Sequence, residues 1–219
     1  MRGTGKRGAA LLAVVFTLLA PVSVAAQALR ITALGDSLTQ GYGLMPGEGL
    51  VPQLQAWLTA RGHAVEVLNA GVSGDTTTGG LARLDWTLAD RPDAVIVALG
   101  GNDLLRGIDP ALSRANLDAI LTRLAAEGLP VLLVGLSAPG NYGPEYQAAF
   151  AAIYPELAAA HGALLVPDLL APLAEAVAAG APPESVMQGD MIHPNPTGVA
   201  RVVEALGPRV EELMGRVSR

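Results

Sequence analysis

The sequence predicts an α/β fold: a parallel sheet with helices packed on both faces. Three observations carry that prediction. Five short runs are mostly apolar, longer runs between them place apolar residues at helical spacing, and polar motifs follow three of the short runs directly. Short, mostly apolar runs suit strands buried on both sides, as parallel strands are. Strands alternating with helices form a sheet covered above and below. In such a sheet, function gathers in the loops that leave the carboxyl ends of the strands.

The first strand is Leu29–Leu34, and Gly35-Asp36-Ser37-Leu38 follows it. A serine at a strand-to-helix turn exposes its hydroxyl above the sheet edge, and its own N–H, at a helix start, points where an oxyanion would form. Taken alone, the same residues read equally well as an ordinary capping turn, and the hydrolase elbow G-x-S-x-G is unmatched because Thr39 fills its last position. Leu50–Arg61 reads as a helix closed by Gly62, and Val65–Leu68 as the second strand. After it comes Asn69–Thr76, in which Gly74 lets backbone approach a bound group, while Asp75 or Thr76 equally well caps the helix expected over Thr77–Ala89. Ala94–Leu99 is the third strand. Gly100-Gly101-Asn102-Asp103 follows, and the Asn102 amide is a neutral donor suited to an oxyanion, or simply a left-handed turn residue.

Asp109-Pro110 supplies an N-cap and a proline at the first helical position for Pro110–Glu127, closed by Gly128. Val131–Leu136 is the fourth strand, Glu145–Ala160 a helix closed by Gly162, and Leu164–Val166 the fifth strand. Pro196–Arg216 forms the last helix. Before it stands Asp190-Met191-Ile192-His193-Pro194, where three-residue spacing on a helical turn would put Asp190 beside His193. A carboxylate on one ring nitrogen leaves the other as a base. A metal reading of this pair is weak, because no further His or Cys lies nearby. The remaining histidines, His63 and His161, sit at helix exits and read as partners of helix dipoles.

Residues 1–28 read as a secretory signal peptide, and 29–219 as one domain. Arg2, Lys6 and Arg7 form a positive start, Ala9–Ala20 an apolar stretch, and small residues then offer cleavage after Ala26 or Ala28. A periplasmic or secreted location with no stable membrane anchor is expected, since Pro21 and Ser23 interrupt a stretch already short for a span. The absence of cysteine excludes both disulfides and a lipoprotein cysteine. Without residues 1–28 the chain holds 11 arginines against 20 acidic residues, a formal charge of −9, and no lysine. A Schiff-base lysine and a nucleic-acid footprint are thereby excluded.

Gly-Asp-Ser at 35–37, Gly74, Gly-Gly-Asn-Asp at 100–103 and Asp-x-x-His at 190–193 together resemble the SGNH (GDSL) hydrolase superfamily, in its order and across nearly all of residues 29–219. Ala33–Leu44, Asn69–Thr76, Leu81–Leu84, Leu99–Arg106, Asn141–Gly143 and Ala152–Pro155 are similar to its bacterial arylesterase, lysophospholipase and acyl-CoA thioesterase group. The resemblance implies a flavodoxin-like three-layer α/β/α fold with a five-stranded parallel sheet and no cofactor. It implies Ser37 as nucleophile, His193 as base, Asp190 as its orienter, and Ser37, Gly74 and Asn102 as oxyanion donors. The implied substrate is a small-molecule or lipid acyl ester, or a thioester. Leu44, Met45 and Tyr142 are expected to wall the acyl pocket, between the loops 43–49 and 137–144. With two Phe and two Trp, aliphatic walls are expected rather than aromatic ones. A carbohydrate acetylesterase and a non-catalytic periplasmic anion-binding protein are the competing readings; the second leaves Asp190 and His193 unexplained.

Overall fold

The computed structural model describes Gly3, residues 28–138 and residues 140–218. The leader reading therefore falls on residues outside the described ones, apart from Gly3 and Ala28. Five parallel strands, β1 (Leu29–Gly35), β2 (Val65–Gly71), β3 (Ala94–Ala98), β4 (Val131–Val134) and β5 (Leu164–Val166), form one sheet in the order β2-β1-β3-β4-β5. This is the flavodoxin-like order, whose strand direction of travel reverses between β1 and β3. The helices are α1 (Ser37–Gln40), α2 (Leu50–Ala60), α3 (Thr77–Ala82), α4 (Leu84–Leu88), α5 (Gly101–Leu105), α6 (Pro110–Ala126), α7 (Pro144–His161), α8 (Ala171–Ala178) and α9 (Pro196–Gly215).

Alternation along each strand sends neighbouring side chains to opposite faces. Ile31, Ala33, Val67 and Ile96 join Leu54 and Leu58 of α2, Leu173 of α8, and Val202, Leu206 and Val210 of α9 in one core. Val95, Val97 and Leu133 join Leu117, Ile120 and Leu124 of α6 and Phe150, Ile153 and Leu157 of α7 in the other. The result is three layers, α/β/α. Buried positions of α9 run Val199, Val202, Val203, Leu206, Val210 and Leu213, the spacing of one helical face. Gly207 on that face admits the Trp57 ring of α2: a Cβ there would lie 2.6 Å from it. Trp57 in turn carries the Arg61 guanidinium over its face at 3.8 Å.

The helix ends follow local rules. Asp109 accepts from the Ala111 N–H at the start of α6, with Pro110 in the first turn. Gly62, Gly128 and Gly162 all take the left-handed conformation expected of them after their helices.

Several elements differ from the sequence expectation. The run Thr77–Ala89 is two short helices that meet at Arg83, where φ is −105° and ψ is 11°. Strand β4 stops at Val134, and Leu136 lies past its end, lining the site described below. Strands β1 and β2 run on to a Gly35–Gly71 pair. Helix α8 was not expected; its signals are an alanine-rich run with Pro172 in the first turn.

Candidate active site

Strand β1 ends at Gly35, and the chain turns into α1 with Ser37 as its first residue. The turn is tight because Gly35 has no side chain: a Cβ would meet Thr39 at 2.0 Å. Asp36 caps α1 by accepting from the Leu38 N–H at 3.0 Å. The Ser37 N–H, in the first turn, has no acceptor within the helix and is free to serve a bound oxygen. Asp36 is 2% exposed, and burial pushes its carboxyl up to about 6.

The loop after β3 brings Asn102 to the same edge. Gly100 takes φ +117°, and a Cβ on it would lie 2.2 Å from the Tyr154 hydroxyl, so the turn requires glycine. Asn102 is helical, not left-handed, and its Nδ2 donates to the Asp75 carbonyl at 2.9 Å. An amide nitrogen has two hydrogens, so one remains for the cleft that Asn102 lines with Ser37. Gly74 is not among the residues that wall this cleft; it precedes Asp75 on the neighbouring loop, and Arg106 donates to its carbonyl at 2.9 Å. Thr76, not Asp75, caps the following helix.

The third contribution comes from the loop between α8 and α9. The Asp190 Oδ1 accepts from the N–H groups of Ile192 and His193, at 2.9 and 3.0 Å. This is an Asx-type turn with Met191 at φ +55°, where a helical turn was expected. The turn has the same consequence: His193 Nδ1 lies 2.6 Å from Asp190 Oδ2. The carboxylate only accepts, so Nδ1 carries the proton and the lone pair of Nε2 faces outward. Nε2 lies 2.9 Å from the Ser37 hydroxyl, which donates to it. The His193 N–H, the ring and the Ile192 N–H hold the Asp190 carboxyl down to about 2, keeping it charged.

Gln188 fastens this loop. Its Nε2 donates to the carbonyls of Tyr42 and Pro194, and its N–H to the His193 carbonyl. The Tyr42 ring packs on the His193 ring at 4.8 Å between centroids. Neither residue was singled out from sequence; each acts through a contact more than 140 positions away in the chain.

The other two histidines also have carboxylates: His63 with Glu211 and His161 with Asp118, each at 2.7 Å. A carboxylate neighbour therefore does not distinguish His193; its contact with Ser37 does.

The cleft over Ser37 is walled by Leu38, Leu104, Leu105, Leu136, Leu170 and Ile192. None of the expected wall residues lines this cleft itself. Leu44 packs against the core and lines a small neighbouring cavity together with Ser37 and His193. Met45 is exposed in its loop. Tyr142 turns its hydroxyl to the Leu105 carbonyl and braces that wall from behind. Loop length and composition suggested those positions; the cleft is instead lined by Leu136, just past β4, and Leu170, at the start of α8.

The GDSL-like lipase/acylhydrolase family model matches residues 33–201. Esterase TesA of Pseudomonas aeruginosa is 40% identical over 86% of this chain and 91% of its own. Thioesterase 1/protease 1/lysophospholipase L1 of Escherichia coli K12 is 36% identical, covering 89% of each. Among solved structures, TesA superposes with a TM-score of 0.76 at 39% identity, over 84% of this chain and 99% of that one. AlinE4, an SGNH-hydrolase family esterase, gives 0.68 at 42%, over 85% and 96%.

Proposed function

Because the chain belongs to the GDSL-like lipase/acylhydrolase family and is an ester-hydrolysing serine hydrolase of the SGNH type, we propose that Ser37, His193 and Asp190 cleave the ester through an acyl-enzyme. The observation that carries this reading is the unbroken relay Asp190–His193–Ser37, with contacts of 2.6 and 2.9 Å. His193 Nε2 takes the Ser37 proton as Oγ bonds to the acyl carbon. The carbonyl oxygen becomes an oxyanion, received by the Ser37 N–H and the Asn102 amide, with the Gly74 N–H approaching it from the neighbouring loop. The oxyanion collapses, the bond to the leaving oxygen or sulfur breaks, and His193 returns the proton to that leaving group. Water then attacks the acyl carbon, giving its proton to His193, and Ser37 recovers its hydroxyl as the acid departs.

The walls of the cleft support a substrate class. They are aliphatic, and at about 280 Å³ the cleft is small beside the roughly 300–1,000 Å³ of typical ligand pockets. Medium acyl chains and compact aryl esters suit it, and the names of the relatives support esters, thioesters and lysophospholipids as donors. Export through a leader cleaved near residues 26–28 completes the proposal; no helix among the described residues is long and apolar enough to cross a membrane.

The decisive experiment is Ser37→Ala. It should abolish p-nitrophenyl butyrate hydrolysis and fluorophosphonate labelling while the circular dichroism spectrum stays native. Undiminished turnover in that variant would falsify the assignment.

A further inference from the structure

We propose that Arg83 and Asp75 form a brace that positions the oxyanion donors, and that Arg83 is a positioning residue for catalysis. The inference rests on the acyl-transfer reading above. Three bonds define the brace. Arg83 Nε donates to Asp75 Oδ2 at 2.6 Å, and its NH2 group donates to the Gly35 carbonyl at 2.8 Å. The Asp75 carbonyl accepts the Asn102 amide at 2.9 Å. One guanidinium thus ties together the residue two before Ser37, the residue after Gly74, and through it the side chain of Asn102. The Gly35 carbonyl also accepts from the Val72 N–H at 3.1 Å, so the β1 end and the Gly74 loop meet at one oxygen.

Two features show that the chain makes room for this arrangement. Helix formation breaks at Arg83, leaving its side chain free to reach back over α3 to the sheet edge. Gly79 lies under the Asp75 carboxylate: a Cβ there would sit 2.6 Å from Oδ1. Both charged side chains are largely withdrawn from solvent, at 16% and 18% exposure, where a guanidinium fixed on two separate acceptors holds geometry better than an ammonium. Oxyanion donors act only when they are in place before charge develops, so a brace of this kind acts on kcat rather than on substrate binding.

The test compares Arg83→Lys, Asp75→Asn and Gly79→Ala with the wild type. Each is assayed for kcat and KM on p-nitrophenyl butyrate, for inhibition by butylboronic acid as a tetrahedral probe, and for Tm. Lysine keeps the charge but lacks the fork for two acceptors; asparagine keeps the Asp75 shape; alanine in α3 favours helix but displaces the carboxylate. The expected result is a kcat lower by ~10- to 100-fold with KM nearly unchanged, and boronate affinity falling in step with kcat. Gly79→Ala should show this without a lower Tm. Wild-type kcat in folded Arg83→Lys or Gly79→Ala overturns the brace, as does a loss that follows Tm and not boronate affinity. Ser37→Ala and Asn102→Ala belong in the same series. If either keeps wild-type turnover, the acyl-transfer reading fails and the brace with it; if both lose turnover while the brace variants keep theirs, only the brace fails.

Discussion

Asp36 has the most perturbed environment of the site's side chains. It stands between strand and helix, caps α1, and sits with its carboxyl pushed up to about 6 by burial. A raised native pKa means that the folded protein holds this proton more tightly than the unfolded chain. Ionisation of Asp36 therefore costs stability, and the cost grows as pH rises from 3.8 to about 6. Asp190 works in the opposite sense. Its carboxyl is held down to about 2, so its contribution is present above the ordinary value of 3.8 and is lost as pH falls toward 2. Asp36→Asn keeps an acceptor for the cap. It should be more stable than wild type by about 2–3 kcal/mol above pH 6, with the advantage vanishing near pH 4. Urea titrations between pH 4 and 8 measure this; a constant difference across that range would contradict it. At Asn102, loss of the amide in Asn102→Ala should lower kcat by about 10²–10³ with little change in KM, a split that steady-state kinetics reads directly. Serine and asparagine at the site were legible as residues because their motifs follow strands, and histidine because a carboxylate stands three positions before it. The burial of Asp36 was not, since it depends on what Gly101 and Leu136 bring against it.

Elements were legible where one local rule governs them. Asp109-Pro110 and the closing glycines mark their helices because caps are satisfied within a few residues. Helices α1 and α5 have four and five residues, too few for a period to show. At the junction of α3 and α4, Arg83 reaches the Gly35 carbonyl, 48 positions away, a contact no local pattern announces. Asp103 ties three helices together. It is fully buried in α5 and accepts from the Thr77 N–H and hydroxyl of α3, at 2.8 and 2.6 Å, and from the Ser113 hydroxyl of α6 at 2.9 Å. Asp103→Ala leaves these donors without their acceptor and should cost about 2–4 kcal/mol. The measurement is the urea midpoint; an unchanged midpoint would mean that water replaces the carboxylate at no cost.

At the scale of the whole molecule, one cleft draws on the ends of β1, β3 and β4 and on the chain flanking α8. Leu170, at the N-cap of α8, closes one side of it, so Leu170→Trp should shift the optimum of a nitrophenyl ester series toward shorter acyl chains. Equal kcat/KM profiles for the two proteins would place the acyl chain elsewhere. The sequence by itself determined the alternation of strands and helices, the parallel sheet, and which serine, asparagine, aspartate and histidine to examine. Those follow from periodicity, caps and motif order, all of which are written within short stretches of chain. Tertiary structure alone decided that Tyr42 packs on the His193 ring and Gln188 ties that loop to Tyr42, that Leu136 and Leu170 line the cleft over Ser37 while Leu44 lines a small cavity beside it, and that Arg83 links the loops behind Asn102. Each of these is a contact between residues far apart in sequence, set by the order in which the sheet stacks its strands and by which face each strand end presents.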